Sequence, residues 1–308
     1  YGARTEVRAK LNGVDLSNRV AIVTGAGKGL GRAYAIELAR AGAAVVVNNR
    51  RHPGEADADT SAARVVAEIV TAGGRAVADY SSVEASDSGE QMVRNALDHF
   101  GRLDIVVANA AAPQAASFHK LTLADFRAVF DVGFFGTLHL VQAAWPHLRE
   151  QQYGRVVMTS SSAGRYGQHG LSAYGASKSA VDSLVRTLAG EGAARGIAVN
   201  AVSPYALSQM TAAHIRGEMA EVFTPERVAP LIAWLASEDC SVNGEVIVAG
   251  GGRFRLTETV ETDSLPADTG FGDLMTRLTA EPRRTHPNSN HAFDTLLVEC
   301  GLAPRAAL

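Results

Sequence analysis

Residues 20–31 read V-A-I-V-T-G-A-G-K-G-L-G, and the fold follows from them. Val20 to Val23 form a short apolar run rich in β-branched side chains, Thr24 to Gly31 are glycine-rich, and an alanine-rich helical pattern continues to Ala41. Strand, tight turn and helix in that order form the setting in which a glycine-rich motif holds a dinucleotide. The glycines let the backbone approach the pyrophosphate, and the helix N-terminus carries partial positive charge.

Outward from this unit the same alternation repeats. Apolar, strand-like runs occur at 20–24, 44–48, 75–78, 103–108, 154–159, 197–202 and 245–248, with helical patterns between them. Strands apolar on both faces and separated by helices predict an α/β fold: a doubly wound, Rossmann-type, seven-stranded parallel sheet with helices on both faces. Ligands of such sheets bind beyond the carboxyl ends of the strands. The polar stretch His52 to Thr60 reads as a surface loop. The character of the sequence changes after residue 253, so the domain reading is 1–253 for the catalytic fold and 254–308 for a C-terminal extension. In that extension Phe293, Leu296, Leu297 and Cys300 suggest one short helix, and the extension is expected to cap the active site or to take part in a dimer contact.

The second informative stretch is Y-G-A-S-K, Tyr174 to Lys178, with Ser161 thirteen residues before it. A free phenol titrates near pH ~10 and is a poor acid or base at neutral pH unless its surroundings change. A lysine four positions along a helix shares its face, and its charge is expected to lower the phenol's pKa. Carbonyl reduction needs a proton source and a donor at the developing oxyanion, which these three side chains supply.

Taken together, the sequence resembles the classical short-chain dehydrogenase/reductase family from about Asn18 to Gly252. The T-G-x-x-x-G-x-G element is Thr24 to Gly31, the N-A-G element reads Asn109-Ala110-Ala111, and the Ser, Tyr and Lys positions are Ser161, Tyr174 and Lys178. Details at 31–35, 143–148 and 227–231 resemble the dehydrogenase part of peroxisomal multifunctional enzyme type 2, which acts on 3-hydroxyacyl-CoA and some steroids. The resemblance implies cofactor contacts from Thr24, Gly25, Lys28, Gly29, Leu30, Gly31, Asn49, Arg50, Asp79 (at the adenine ring), Asn109, Ala110, Tyr174, Lys178 and Pro204. It also implies that Ser161 holds the carbonyl oxygen and that Tyr174 transfers the proton. Two departures stand out. Tyr205 follows Pro204 where the family usually has glycine, and Gly133 occupies the place of a frequent fourth catalytic residue, an asparagine that helps hold a water beside the lysine.

Charge argues the cofactor. An acidic residue at the end of the second strand suits the ribose diol of NAD, but here the strand ends Val47-Asn48-Asn49-Arg50-Arg51, and Lys28 lies inside the glycine turn. Arginine and lysine suit a 2′-phosphate, so NADP(H) is favoured, with NAD(H) the alternative.

Composition narrows the remaining classes. The 308 residues are 46% hydrophobic with a formal charge of −3, which allows a large core and argues against nucleic acid as a partner. Cys240 and Cys300 are in no metal-ligand pattern, and none of the nine histidines falls in an H-x-x-x-H arrangement, so no metal site is expected. The stretch through Asn12 lacks a signal-peptide core, and no apolar run approaches the roughly eighteen residues of a membrane span. The expectation is a cytoplasmic homodimer or homotetramer, paired through the Tyr174 helix and its small residues Ala173, Gly175, Ala176 and Ala180. Its partner is a small carbonyl or hydroxyl substrate, possibly thioester-bound. A catalytically silent NAD(P)-binding regulatory protein is the alternative.

Overall fold

A computed structural model describes residues 13–212, 215–266 and 270–304. The charged stretch through Asn12 and part of the extension lie outside the described residues. The chain divides into two compact units, 1–256 and 257–308.

The first unit is built on the parallel sheet that the sequence predicts. Its strands are β1 (Val20–Val23), β2 (Ala44–Asn48), β3 (Arg75–Asp79), β4 (Ile105–Ala108), β5 (Gly154–Thr159), β6 (Ile197–Tyr205) and β7 (Val246–Gly250), in the order β3-β2-β1-β4-β5-β6-β7. Every pairing among these seven is parallel. An eighth strand, β8 (Arg253–Thr257), joins the edge beside β7. It was not foreseen, and its largely exposed residues lack the double-sided apolar pattern of the others.

The helices of this unit are α1 (Gly29–Arg40), α2 (Ser61–Thr71), α3 (Ser88–Phe100), α4 (Leu123–Phe130), α5 (Gly136–Glu150), α6 (Ser162–Tyr166), α7 (Ser172–Gly192), α8 (Glu218–Val222) and α9 (Ala229–Leu235). The strand side chains alternate between two cores. Ala21, Val23, Val45, Val47, Ile105 and Val107 pack with Leu38 of α1, Ile69 of α2 and Ile232 of α9. Val20, Ile22, Val46 and Val106 pack on the other face with Met92 of α3, Leu140 of α5 and Val185 of α7. Because the strands are apolar on both faces, the sheet has no solvent side, as the period-two pattern requires.

Two local features bear on the site. Thr122 and Asp125 form a capping box that starts α4, with Thr122 Oγ1 accepting from Asp125 N at 3.1 Å and the Asp125 carboxylate accepting from Thr122 N at 2.8 Å. Then Asp131–Phe135 runs as a π-helical turn into α5, a widening often found beside functional sites.

The second unit holds more structure than the single helix read from its apolar positions. Strands β9 (Val260–Thr262) and β10 (Arg283–Thr285) pair antiparallel, with α10 (Phe271–Ala280) between them and α11 (Ser289–Glu299) after them. Asn288 caps α11, its side chain accepting from His291 N at 2.9 Å. Among the described residues no helix is long and apolar enough to cross a membrane.

Candidate active site

The strand order reverses at β1, whose neighbours are β2 on one side and β4 on the other. The crevice at this switch point is where a doubly wound sheet binds its ligand. Thr24 and Asn109 knit its floor. Thr24 Oγ1 accepts from the backbone N–H of Asn109 at 2.9 Å and of Ala110 at 3.1 Å, and Asn109 Nδ2 donates back to the Thr24 carbonyl at 3.0 Å. Gly25 takes φ +62°, and a β-carbon at Gly31 would stand 2.2 Å from the Gly25 carbonyl oxygen. No side chain fits there, so α1 begins pressed against the turn, with its free N–H groups at the crevice.

The cleft that results is lined by Gly25, Lys28, Gly29, Leu30 and Gly31 from the turn, by Asn49 and Arg50 from the end of β2, and by Asn109 and Ala110 after β4. Nine of the residues expected around a cofactor therefore share one wall. Arg50 is 3.8 Å from Glu84, which lines the same cleft. Arg51 points elsewhere, pairing with Asp57 at 2.5 Å and stacking over the Tyr80 ring at 4.5 Å. Asn49 Nδ2 donates to Ser61 Oγ at 2.9 Å, which joins the end of β2 to the start of α2.

The other five expected contacts are not on that wall: Thr24 lies in the floor, Tyr174 and Lys178 stand beyond β5, and Asp79 and Pro204 are held elsewhere. The Asp79 carboxylate is buried and takes hydrogen bonds from Asn48 Nδ2 at 2.8 Å, Ser81 N at 3.0 Å and Asn95 Nδ2 at 3.0 Å. It braces the wall from behind, and Ser81 reaches the cleft in its place. Pro204 lies inside β6, which continues to Tyr205 opposite Gly250 of β7. A β-carbon on Gly250 would come within 2.8 Å of Tyr205 Cβ, so the bulky Tyr205 is accommodated by a missing side chain on the neighbouring strand. Ser208, Gln209 and Met210 line the cleft instead. Their irregular backbone offers no periodicity from which to foresee them.

Ser161, Tyr174 and Lys178 stand one strand further, past the carboxyl end of β5. Ser161 caps α6, its hydroxyl accepting from Ala163 N at 3.2 Å, and it also hydrogen-bonds the Tyr174 phenol. Lys178 is 1% exposed, donates to the Thr159 carbonyl at 2.7 Å and lies 5.7 Å from the Tyr174 ring centroid. Burial holds its pKa down at about 8, against the opposing pull of Asp182. The expectation that Lys178 lowers the tyrosine's pKa is not met here. Burial raises the phenol above its ordinary value, and only the Ser161 hydrogen bond works against that. The tyrosine is therefore protonated at neutral pH.

Gly133 is buried in the π-helical turn, and a β-carbon there would come 3.2 Å from Ser177 Oγ. Ser177 Oγ in turn donates to the Tyr174 carbonyl at 2.8 Å. The widened turn is present although the asparagine is not. Two of the small residues expected to serve an intersubunit contact serve the chain's own packing: Ala173 is buried, and a β-carbon on Gly175 would be 2.8 Å from the Ala163 carbonyl oxygen. Among the described residues no cluster of side chains could hold a metal ion.

Comparison with known proteins agrees with this geometry. The family model described as short chain dehydrogenase matches residues 19–219. A short-chain type dehydrogenase/reductase of Mycobacterium tuberculosis is 45% identical over 82% of this chain and 89% of its own length. A 3-oxoacyl-[acyl-carrier-protein] reductase of a Synechocystis species is 34% identical over 77% of this chain and 97% of its own. The structure of full-length peroxisomal multifunctional enzyme type 2 from Drosophila melanogaster superposes with a TM-score of 0.77 and 31% identity over 93% of this chain, but the match spans only 50% of that longer protein. With the glycine turn, the crevice and the Ser-Tyr-Lys trio in place, the chain belongs to the short-chain dehydrogenase family.

Proposed function

We propose that this oxidoreductase transfers hydride between NADP(H) and a ketone or secondary alcohol, with a 3-oxoacyl thioester as the first substrate class to test and polyketide or steroid-like ketones next. The observation that carries the reading is the placement of Ser161, Tyr174 and Lys178 at the same sheet edge as a glycine-walled crevice bearing Lys28 and Arg50. Bound in that crevice, NADP(H) supplies the hydride for reduction and accepts it in the reverse direction.

The chain's own residues do the rest. The cradle at Gly25, Gly29 and Gly31 and the N-terminus of α1 suit a pyrophosphate. Lys28 and Arg50 suit a 2′-phosphate, while Asn49 puts no carboxylate where a 2′-phosphate would be repelled. Ser161 donates to the carbonyl oxygen as charge develops on it. Tyr174 gives that oxygen its proton and takes one back in alcohol oxidation. Lys178 keeps a positive charge beside both. The name of the Synechocystis relative favours the thioester over the cyclic ketones.

The test is a pair of measurements on the intact protein. NADPH should bind more tightly than NADH by calorimetry, and acetoacetyl-CoA should be reduced with NADPH. Equal affinities would remove the cofactor assignment, and turnover of cyclic ketones without turnover of the thioester would move the substrate class.

A further inference from the structure

Helices α6 and α7 meet backbone to backbone. A β-carbon on Gly164 would stand 2.9 Å from Ser179 N and 3.0 Å from the Lys178 carbonyl carbon, and Ser179 Oγ donates to the Gly164 carbonyl. The helix capped by Ser161 is thus seated directly on the turn that carries Lys178. One ion pair clasps the two helices: Arg165 Nη1 lies 3.1 Å from Asp182 Oδ2, with side-chain exposures of 16% and 5%. Arg165 Nη1 also donates to Ser160 Oγ at 3.4 Å, one residue before Ser161. Asp182 follows Lys178 by four positions and so shares its helix face.

As a stabilising clasp the pair is poorly made. Arg165 Nε and Nη2 and Asp182 Oδ1 are buried without hydrogen-bond partners. A buried ion pair pays a desolvation cost that only full hydrogen bonding offsets, and apolar residues of similar volume often serve stability as well. Its value is better sought in its charges and in what they face. Around Lys178, α7 contributes Tyr174 and Asp182, and α6 contributes Arg165. Asp125 on α4 is half-buried and bound to Thr122 in the capping box, Arg127 on α4 and Asp131 in the π-helical turn are exposed, β6 carries no ionisable side chain before Tyr205, and Arg155 of β5 is bonded to the Ser237 carbonyl at 2.8 Å, at the amino end of its strand. Among the described residues, Asp182 is the carboxylate whose charge acts on the ammonium.

We propose that Arg165 and Asp182 are a positioning pair: Asp182 supplies the field that keeps Lys178 charged, and Arg165 limits that field while tying the Ser161 helix to the Lys178 helix. This rests on the reading of Tyr174 and Lys178 as the reacting pair. A negative charge stabilises protonated neighbours and a positive charge destabilises them, so deleting the two partners singly has opposite consequences.

The experiment follows the titration of Lys178 by NMR, with lysine labelled at the ε-carbon and the resonance assigned by its loss in Lys178→Met. Asp182→Asn should lower the Lys178 pKa by about one unit or more, and Arg165→Met should raise it by a smaller amount. The apolar pair Arg165→Met/Asp182→Leu removes the cost of an unpaired buried charge. It should fold even where a single variant does not, with a Lys178 pKa between those of Asp182→Asn and the unaltered protein. Titrations that coincide in all variants, or single variants that move in the same direction, would overturn the proposal, and a change confined to melting temperature would make the pair a clasp only. Should the single variants fail to fold, the double variant decides, since an unmoved Lys178 in it is also a refutation. The underlying reading fails separately: if Tyr174→Phe keeps full turnover, the site assignment falls whatever the titrations show.

Discussion

The cofactor cleft and the α6–α7 contact use charge in opposite ways. In the cleft Arg50 and Glu84 are 56% and 41% exposed, so water and salt screen them and each contributes little beyond its direct contacts. Between α6 and α7, Lys178 is 1% exposed and the Asp182 side chain 5%, and there each charge alters the protonation of its neighbours. Substitutions in the first region should tune affinity, and substitutions in the second should change rate and pH dependence.

The largest effect expected on this contrast, outside Tyr174 itself, is at Ser161. Replacing it with alanine removes the donor to the developing oxyanion and should lower kcat by about 10²–10³-fold, while NADPH affinity by calorimetry stays as it was. A loss of affinity without a loss of kcat would break the comparison, because Ser161 would then be acting as a cleft residue.

Arg50→Asp comes next. A charge-assisted contact at an exposed site should yield on the order of tenfold weaker NADPH binding and a gain for NADH, with kcat little changed once each cofactor saturates. If the order of the two cofactors does not change, Lys28 alone carries the preference.

The pH profile sharpens the buried side of the comparison. Lys178 has a pKa depressed to about 8, so its charge is complete below that value and lost above it, while the phenol, pushed above its ordinary pKa, stays protonated through neutral pH. The kcat/KM for carbonyl reduction, which reports the free enzyme, should be level through neutral pH and fall as pH passes about 8. A fall on the acid side instead would contradict the assignment of these two groups.

The smallest effect is expected at Gly133. Gly133→Asn brings a β-carbon to 3.2 Å from Ser177 Oγ, a contact that a small side-chain shift relieves. The stability cost should be about 1–3 kcal/mol, as for overpacking at a buried position, and kcat should change by less than about threefold. A large change in turnover would show that the missing asparagine side chain limits the rate.

What could be read before the structure is divided by range along the chain. The β1 turn with α1, and Tyr174 with Lys178, are local patterns whose spacing alone places them, and the seven strands followed from apolar runs bounded by turns. Asp79 and Ser81 are two residues apart at one strand end, and only the bonds from Asn48 and Asn95 show which of them is turned away from the cleft. Ser208 to Met210 reach the cleft on irregular backbone, and β8 lacks the buried pattern by which the other strands were found. Arg165 and Asp182 each look like an ordinary helix-surface charge. Their burial comes from Gly164 and Gly175, whose missing side chains let α6 settle on α7.

The central claim is that Tyr174 supplies the proton in an NADPH-dependent carbonyl reduction. The direct measurement compares the unaltered protein with Tyr174→Phe, following NADPH oxidation in the presence of acetoacetyl-CoA and NADPH binding by calorimetry on the same samples. The account predicts that turnover falls by about 10²–10⁴-fold while the dissociation constant for NADPH stays within about twofold. Turnover that survives the loss of the phenol hydroxyl would contradict it.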